Sequence, residues 1–400
     1  MRIAYLALAF ALITLVSSAN LELEREHISE SILDSYMNQP EKDLFKVYHF
    51  IFDKPYSLNT DEGIRRYKLF KKALSFIKTH NSKGLSWTVA LNHFADMTNE
   101  EYDQFNNLSI PSETKSNLKK NRRSLGFFDE MADKIDNDDD IPIPKINDDE
   151  NTNVFTNVNH KKYLSDVKNQ GSCGSCWAFT AALTIEAAYN VLANSKNTTN
   201  ITLVEPVSTQ QLVDCDPKSS GCNGGWMPYA FDYLSNSAAQ LIAFEKDYSY
   251  TAKTGSCNAG CLSKGVKVTG HEGCAPWFGY GKCDKKKFHD YLEKSPVGVA
   301  IDTKHDGFRY YRKGIIDVYA YENTETPYKC DRLTHAIVAY GWTNQEVPEV
   351  GSRVYISLRN SWGTKWGESG DFHIYVTEDK DYNSSCYITK IASRPIVSLE

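Results

Sequence analysis

All ten cysteines of this 400-residue chain lie between Cys173 and Cys386, and residues 1–172 have none. That asymmetry divides the chain into two regimes before any secondary structure is considered. Its meaning turns on the redox compartment, since cysteines read as disulfides in oxidising surroundings and as metal or catalytic ligands in the cytosol. The N-terminus answers: Arg2 is followed by the 14-residue, largely apolar run Ile3–Val16 and then by Ser17-Ser18-Ala19. A positive start, a core too short to span a bilayer and small residues after it form a secretory signal over residues 1–19; a buried N-terminal helix is the alternative. The chain is therefore expected in the secretory pathway, bound for a lysosome, a vacuole or the outside, with no membrane insertion once the signal is removed. Four sequons, at Asn107, Asn197, Asn200 and Asn383, agree with that route.

Three segments follow. Residues 41–110 are charged and largely helical in pattern, with one helix from Asp61, a plausible N-cap, to about His80. Glu62, Arg66, Phe70, Ala73, Ile77 and Asn81 recur on it at steps of three and four and share one face. Residues 111–153 read as a linker, with Asp138-Asp139-Asp140, Ile141-Pro-Ile-Pro144 and Asp148-Asp149-Glu150. So acidic a stretch buries little and repels itself. Residues 1–153 hold 19 basic and 25 acidic side chains against 26 and 26 downstream, so the net charge of −6 sits upstream of a neutral third segment. No basic surplus exists to neutralise phosphates, which excludes nucleic acid as the main partner.

Residues 154–400 have the composition of a compact domain. Helical patterning is clear from Ser175 to about Leu192 and from Ser208 to Val213. After Lys264 come β-branched and aromatic runs: Val297–Ile301, His335–Tyr340, Val354–Leu358 and Asp371–Val376. A helical part followed by a β-rich part gives an α+β arrangement in two lobes.

Chemistry concentrates in Gln170-Gly-Ser-Cys173-Gly174-Ser-Cys176-Trp177. Cys176 opens an apolar helix, where unpaired N–H groups favour a thiolate. A disulfide, or a redox pair Cys173-x-x-Cys176, competes with that reading; the redox pair needs a βαβ surround, and none is visible. A thiol nucleophile needs a base, and the base needs a group to fix its ring. His335 opens an apolar run, and Asn360 stands in Arg359-Asn-Ser-Trp-Gly363.

Cys173-Gly-Ser-Cys176-Trp177 matches the known local signature of the papain-type proteases. The chain resembles that family, nearest its cathepsin L-like branch. Ser208–Cys215, Gly221-Cys-Asn-Gly-Gly225 and Ser361-Trp-Gly-Thr-Lys-Trp-Gly367 resemble further family segments. The helical face from Glu62 to Asn81 and Ala90-x-Asn92-x-Phe94-x-Asp96 resemble its propeptide motifs, with Ala73 in place of asparagine and Ala90 in place of glycine. The Asp-Trp pair usual near the mature start appears as Asn157-Val158. His335 lies 159 residues after Cys176, against roughly 130–150 in the family; the excess is assigned to surface loops at Asn194–Thr202 and Cys257–Cys283.

The resemblance implies a papain-like two-lobed fold, a helical left lobe and a β-barrel-like right lobe over residues 154–400, preceded by an inhibitory propeptide domain over 20–110 and an activation linker over 111–153. It implies a cysteine endopeptidase made as a zymogen, acting on polypeptides as a monomer, with no cofactor and no metal. Cys176 and His335 form the ion pair, Asn360 orients His335 under Trp362, and Gln170 with the Cys176 N–H binds the oxyanion. Gly174, Gly224 and Gly225 meet the substrate backbone. Trp226, Met227, Ala300, Leu333 and Ala336, floored by Ile391, wall an apolar pocket for the residue two before the scissile bond. Disulfides by resemblance are Cys173–Cys222, Cys215–Cys257 and Cys330–Cys386, leaving Cys261, Cys274 and Cys283 unassigned. A zinc site from Cys257, Cys261, Cys274 and Cys283 is the alternative use of that stretch. A catalytically silent relative, acting as a binding protein, is the alternative for the whole, and its mark would be loss of one of the four catalytic residues. The propeptide is expected to cross the cleft, to pack its helices on the β-rich lobe and to let go in acid as carboxylates such as Asp96 protonate.

Overall fold

The computed structural model describes residues 32–110, 155–195, 203–237, 240–258, 264–275, 283–318, 330, 332–347, 351–376, 386 and 388–399. The expected signal, the whole of the linker, Cys261 and the sequons at Asn197, Asn200 and Asn383 lie outside the described residues.

Two helices lead, α1 (Glu41–Ile51) and α2 (Asp61–Asn81), followed by β1 (Trp87–Val89) and the short α3 (Asn99–Asp103). The N-cap of α2 is Thr60, whose hydroxyl accepts from Gly63 N–H, so the cap lies one residue before the expected Asp61. The face read from the periodicity does two jobs. Phe70, Ala73 and Ile77 are buried, Phe70 packing on Phe45 and Tyr48 of α1. Polar members at its ends tie the unit together: Arg66 pairs with Glu62 and with Glu101 of α3, and Asn81 exchanges hydrogen bonds with the Val89 backbone. Asp96 accepts from Tyr48, Tyr56 and Lys54 at 2.8, 2.6 and 2.7 Å, so a buried carboxylate has a partner for each oxygen.

The second part begins with β2 (Val158–Asn159) and three helices, α4 (Cys176–Asn194), α5 (Thr209–Cys215) and α6 (Met227–Asn236). It continues with β3 (Leu241–Ala243), β4 (Gly265–Cys274), α7 (Lys285–Lys294), β5 (Val297–Ile301), α8 (Asp306–Arg309) and β6 (Tyr311–Ile316). Strands β7 (His335–Val347), β8 (Gly351–Arg359), β9 (Asp371–Val376) and β10 (Ala392–Ser398) complete it. Among the described residues ten strands form one sheet, ordered β1-β6-β9-β8-β7-β5-β10-β4-β3 with β2 on β7, and of these strand pairs only β6 and β9 run parallel. The α+β reading holds, in two lobes. One core centres on α4, α5 and α6; the other joins the strands β5 to β9 to Phe45, Tyr48, Phe70, Phe94 and Phe105 of the leading segment.

The sequence placed Cys257–Cys283 in a surface loop, and the structure corrects this. Gly265–Cys274 is a full strand against β10, with Val266 and Val268 buried on one face. Helices α6 and α7 also lay outside the expected helical stretches. In α7 only Phe288, His289 and Leu292 are buried, too thin an apolar stripe to stand out among lysines.

The leading segment is built onto the sheet. β1 adds to the free side of β6, Trp87 opposite Gly314. Gly314 has φ +97°, and a Cβ there would lie 2.7 Å from Trp87 Cα, so only glycine permits that close pairing.

Candidate active site

Cys176 is the first residue of α4, with Ser175 at the N-cap. Ala178, Ala181, Ala182, Ala187 and Ala188 are all buried along this helix, and their small side chains let it run through the centre of its lobe. Cys176 is the only free cysteine among the described residues. The others pair as Cys173–Cys222, Cys215–Cys257, Cys274–Cys283 and Cys330–Cys386. With Cys257 and Cys274 in disulfides, the zinc alternative is removed. The bond between Cys274 and Cys283 had no counterpart in the sequence reading.

His335 and Asn360 meet because β7 and β8 are antiparallel neighbours. His335 starts β7, opposite Ile301 of β5, and Asn360 follows the last residue of β8. The His335 Nε2 proton goes to Asn360 Oδ1 at 2.8 Å, which leaves Nδ1 as the basic nitrogen of the ring. Asn360 is held in turn by its own N–H on Gly370 O at 2.9 Å. Trp362 lies over the imidazole at a centroid distance of 4.7 Å and is itself boxed in by Phe94, Tyr102, Phe308 and Trp366. Gln170 is placed by a main-chain bond to Ser361 O, and its Oε1 accepts from Ser361 Oγ at 2.7 Å.

The leading segment passes directly over these groups. Gln170 Nε2 donates to Phe105 O at 3.1 Å and to Cys173 O at 2.8 Å. Leu108 N–H donates to Thr334 O and Ser109 N–H to Gly225 O, with Leu108 running parallel to Gly225. Asn107 fills the space a Cβ would take at Gly174, and its carbonyl does the same at Gly224, where φ is +112°. Leu108 and Ile110 pack on the apolar cluster that holds Trp226, Met227, Ala300, Ala336 and Ile391, all fully buried, with Leu333 half-buried at its edge.

Covering sets the electrostatics. Burial pushes the Cys176 thiol up to about 12, against a smaller pull from the N–H groups of Ala336 and Trp177. Burial also pushes His335 down to about 4, outweighing Asn360 and the Phe105 carbonyl. Burial therefore disfavours charge on both groups while the segment covers them; the ion pair that the resemblance implies belongs to the uncovered enzyme.

Some residues that matter carried no sequence signal. Ser361 fixes Gln170, and Arg309 grips the leading segment: its guanidinium donates to Phe94 O, Met97 O and Asn99 Oδ1 and lies 4.7 Å from the Tyr102 ring. Their partners are 191 to 215 residues away, so no local pattern connects them.

A lone thiol at a helix start, an imidazole–amide pair facing it from the other lobe, and the chain's own N-terminal segment laid between them define an autoinhibited thiol enzyme. The chain belongs to the papain family of cysteine proteases. Residues 153–396 match the model of the papain family cysteine proteases, and residues 45–102 match that of the cathepsin propeptide inhibitor domain. It is 30% identical over 395 residues to the cysteine protease XCP2 of Arabidopsis thaliana, covering 97% of this chain and 96% of that one. Caricain of Carica papaya is 32% identical over 316 residues, 78% of this chain and 74% of its own. Among solved structures, the digestive procathepsin L2 proteinase from Tenebrio molitor larval midgut superposes with a TM-score of 0.66 at 28% identity, covering 89% of this chain and 99% of that one. The protein is thus a papain-family cysteine protease in zymogen form, inhibited by its own propeptide.

Proposed function

We propose that the matured protein is an endopeptidase using Cys176, His335, Asn360 and Gln170, with a preference for an apolar residue two before the scissile bond. The observation that carries this is the position of Cys176, a free thiol at the start of α4, while His335 is already held by Asn360 in the tautomer a base requires. Once the covering segment leaves, water and the helix N-terminus favour the thiolate, and the proton passes to His335 Nδ1. The thiolate attacks the peptide carbonyl, and the oxyanion takes hydrogen bonds from the Gln170 side chain and the Cys176 N–H. His335 then gives its proton to the leaving amine, and water hydrolyses the thioester.

Supporting the specificity are Leu108 and Ile110, which sit on the same apolar cluster that a substrate side chain would enter. The domain limits follow from the same reading: inhibitory domain 20–110, linker 111–153, peptidase 154–400. A secretory destination, lysosomal, vacuolar or extracellular, agrees with four disulfides among the described residues. A monomer is proposed, since each element of the site comes from one chain. The test is Cys176→Ala: peptide hydrolysis and one-to-one inactivation by a thiol-directed epoxide should both vanish in a normally folded, secreted variant. Retained hydrolysis would end the assignment.

A further inference from the structure

The two proposed oxyanion donors sit on different stretches of chain. Gln170 precedes the loop, and Cys176 follows it, with Gly171 at φ +58° and Gly174 between. Glycine-bearing loops do not hold their ends at a fixed spacing by themselves. One side chain outside the expected site spans the gap. Tyr250 OH donates to the Gln170 carbonyl at 2.8 Å and lies 2.7 Å from Ser175 Oγ, the residue immediately before the nucleophile. The phenol has one proton and gives it to a carbonyl, so the second bond takes the Ser175 proton, for which the Cys173 carbonyl at 3.4 Å is the more distant acceptor. Both Gln170 and Ser175 are fully buried, and the Tyr250 ring stacks edge-on against Phe179 of α4 at 4.7 Å. The phenol is thereby anchored to the same helix that carries Cys176.

We propose that Tyr250 is a positioning residue of the oxyanion hole, its hydroxyl fixing the Gln170 segment against the Ser175–Cys176 segment. This rests on the reading of Gln170 and the Cys176 N–H as oxyanion donors. Ser361 holds the tip of the Gln170 side chain and Tyr250 its backbone, so both ends of that donor are clamped. Pre-organised donors work only when held within about 0.5 Å of the geometry the transition state needs. Burial pushes the Tyr250 hydroxyl up to about 12, so it remains a neutral donor throughout the range where the enzyme works.

Tyr250→Phe keeps the ring and its stacking and removes both hydrogen bonds. In the matured enzyme kcat should fall about tenfold with KM nearly unchanged, less than the roughly 10²–10³-fold loss from deleting a donor outright. A reversible peptide aldehyde should bind weaker by a similar factor, because thiolate addition to it leaves the negative oxygen in the same hole. Alkylation of Cys176 by iodoacetamide, which displaces iodide and forms no oxyanion, should keep its rate and pH profile. Ser175→Ala should behave likewise, and the double variant should be little worse than Tyr250→Phe, since one tie is cut twice. If Tyr250→Phe does not fold, Ser175→Ala carries the same expectations alone. Unchanged kcat and aldehyde affinity would overturn the proposal, as would an equal loss in alkylation. Failure of wild-type Cys176 to alkylate would instead strike the underlying reading of the active site.

Discussion

Gln170 Nε2 donates to the carbonyl of Phe105 at 3.1 Å, so the side chain assigned to the oxyanion is already occupied by the propeptide. The same stretch of chain places Asn107 against Gly174 and Leu108 beside Gly225. Latency therefore has two physical parts. The donor is taken, and burial disfavours the charged forms of both nucleophile and base.

The second part gives the first prediction. At neutral pH a thiol held near 12 is ionised in only a minute fraction, whereas papain's cysteine, with a pKa of about 3–4, is almost wholly thiolate. Iodoacetamide should modify Cys176 in the uncut proenzyme at least about 100-fold more slowly than in the matured enzyme. Mass spectrometry of time points measures both rates, and equal rates would show that the covering segment does not set the thiol's state.

Arg309 supplies the second. It is a buried cation of the peptidase whose hydrogen bonds go to propeptide oxygens. Each bond from a charged donor contributes about 1.5–3 kcal/mol. Arg309→Ala in the full-length zymogen should therefore give measurable peptide hydrolysis before any cleavage, with the matured variant's kcat within about twofold of wild type, because Arg309 contacts none of the four catalytic residues. A variant as latent as wild type would mean that the β1–β6 pairing and the Phe105–Ile110 stretch hold the propeptide without it.

How far the sequence reaches is seen by comparing Asn360 with Ser361. Asn360 stands in a tryptophan-bearing motif that identifies it at a glance, while Ser361, which fixes the oxyanion donor, has the same neighbours and no signal of its own. A catalytic residue must be one of a few chemical types at a fixed place in a motif; a supporting residue need only deliver a hydroxyl to a point in space, from anywhere. Strands β5 and β9 could be read to the residue because alternating or continuous apolar runs fix them. β4 could not: Gly265, Gly270 and Gly273 interrupt Gly265–Cys274, and β10 supplies its pairing from more than a hundred residues downstream. The Cys274–Cys283 pairing was hidden for a different reason, since three leftover cysteines allow three pairs and only the fold chooses.

The third prediction concerns the apolar pocket. Burying a charge without a partner costs far more than an apolar side chain gains, so Leu, Val or Phe should outpace Arg two residues before the cut. Ile391 is 1% exposed in the cluster beneath Leu108 and Ile110. Ile391→Glu should turn the preference toward Arg, each charge then having a partner. A peptide library profiled on both enzymes decides it; equal turnover of Arg and Leu substrates by the wild type would refute the pocket.

Maturation is the last. Glu101, one of the carboxylates paired in the docked propeptide, acts below the range of mild acid. The Arg66 hydrogen bond holds Glu101 below its usual value, so the stability it lends is present above about pH 4.3 and lost only beneath it. Two propeptide histidines, His80 buried and His93 half-buried, fall in the right range. His93 is pushed down to about 3 by burial and by the nearby cations Lys54, Lys365 and Arg309, and His80 to about 4 by burial beside Trp87. In the docked form both stay neutral, while in a released and unfolded propeptide each would titrate near 6.5. Docking stability is thus full above about pH 6.5 and falls as pH drops below it, by about 2 kcal/mol per histidine at pH 5. Cleavage must then fall before Phe155, whose carbonyl accepts from Asn344 at 2.6 Å and whose ring packs on Trp342 and His289. The proenzyme should remain latent near neutral pH and convert at about pH 5 to a species beginning between Arg123 and Phe155. His93→Gln should move the midpoint of conversion to lower pH. N-terminal sequencing across a pH series measures both, and a start upstream of Ile110, or an unmoved midpoint in His93→Gln, would show that the release is driven from elsewhere.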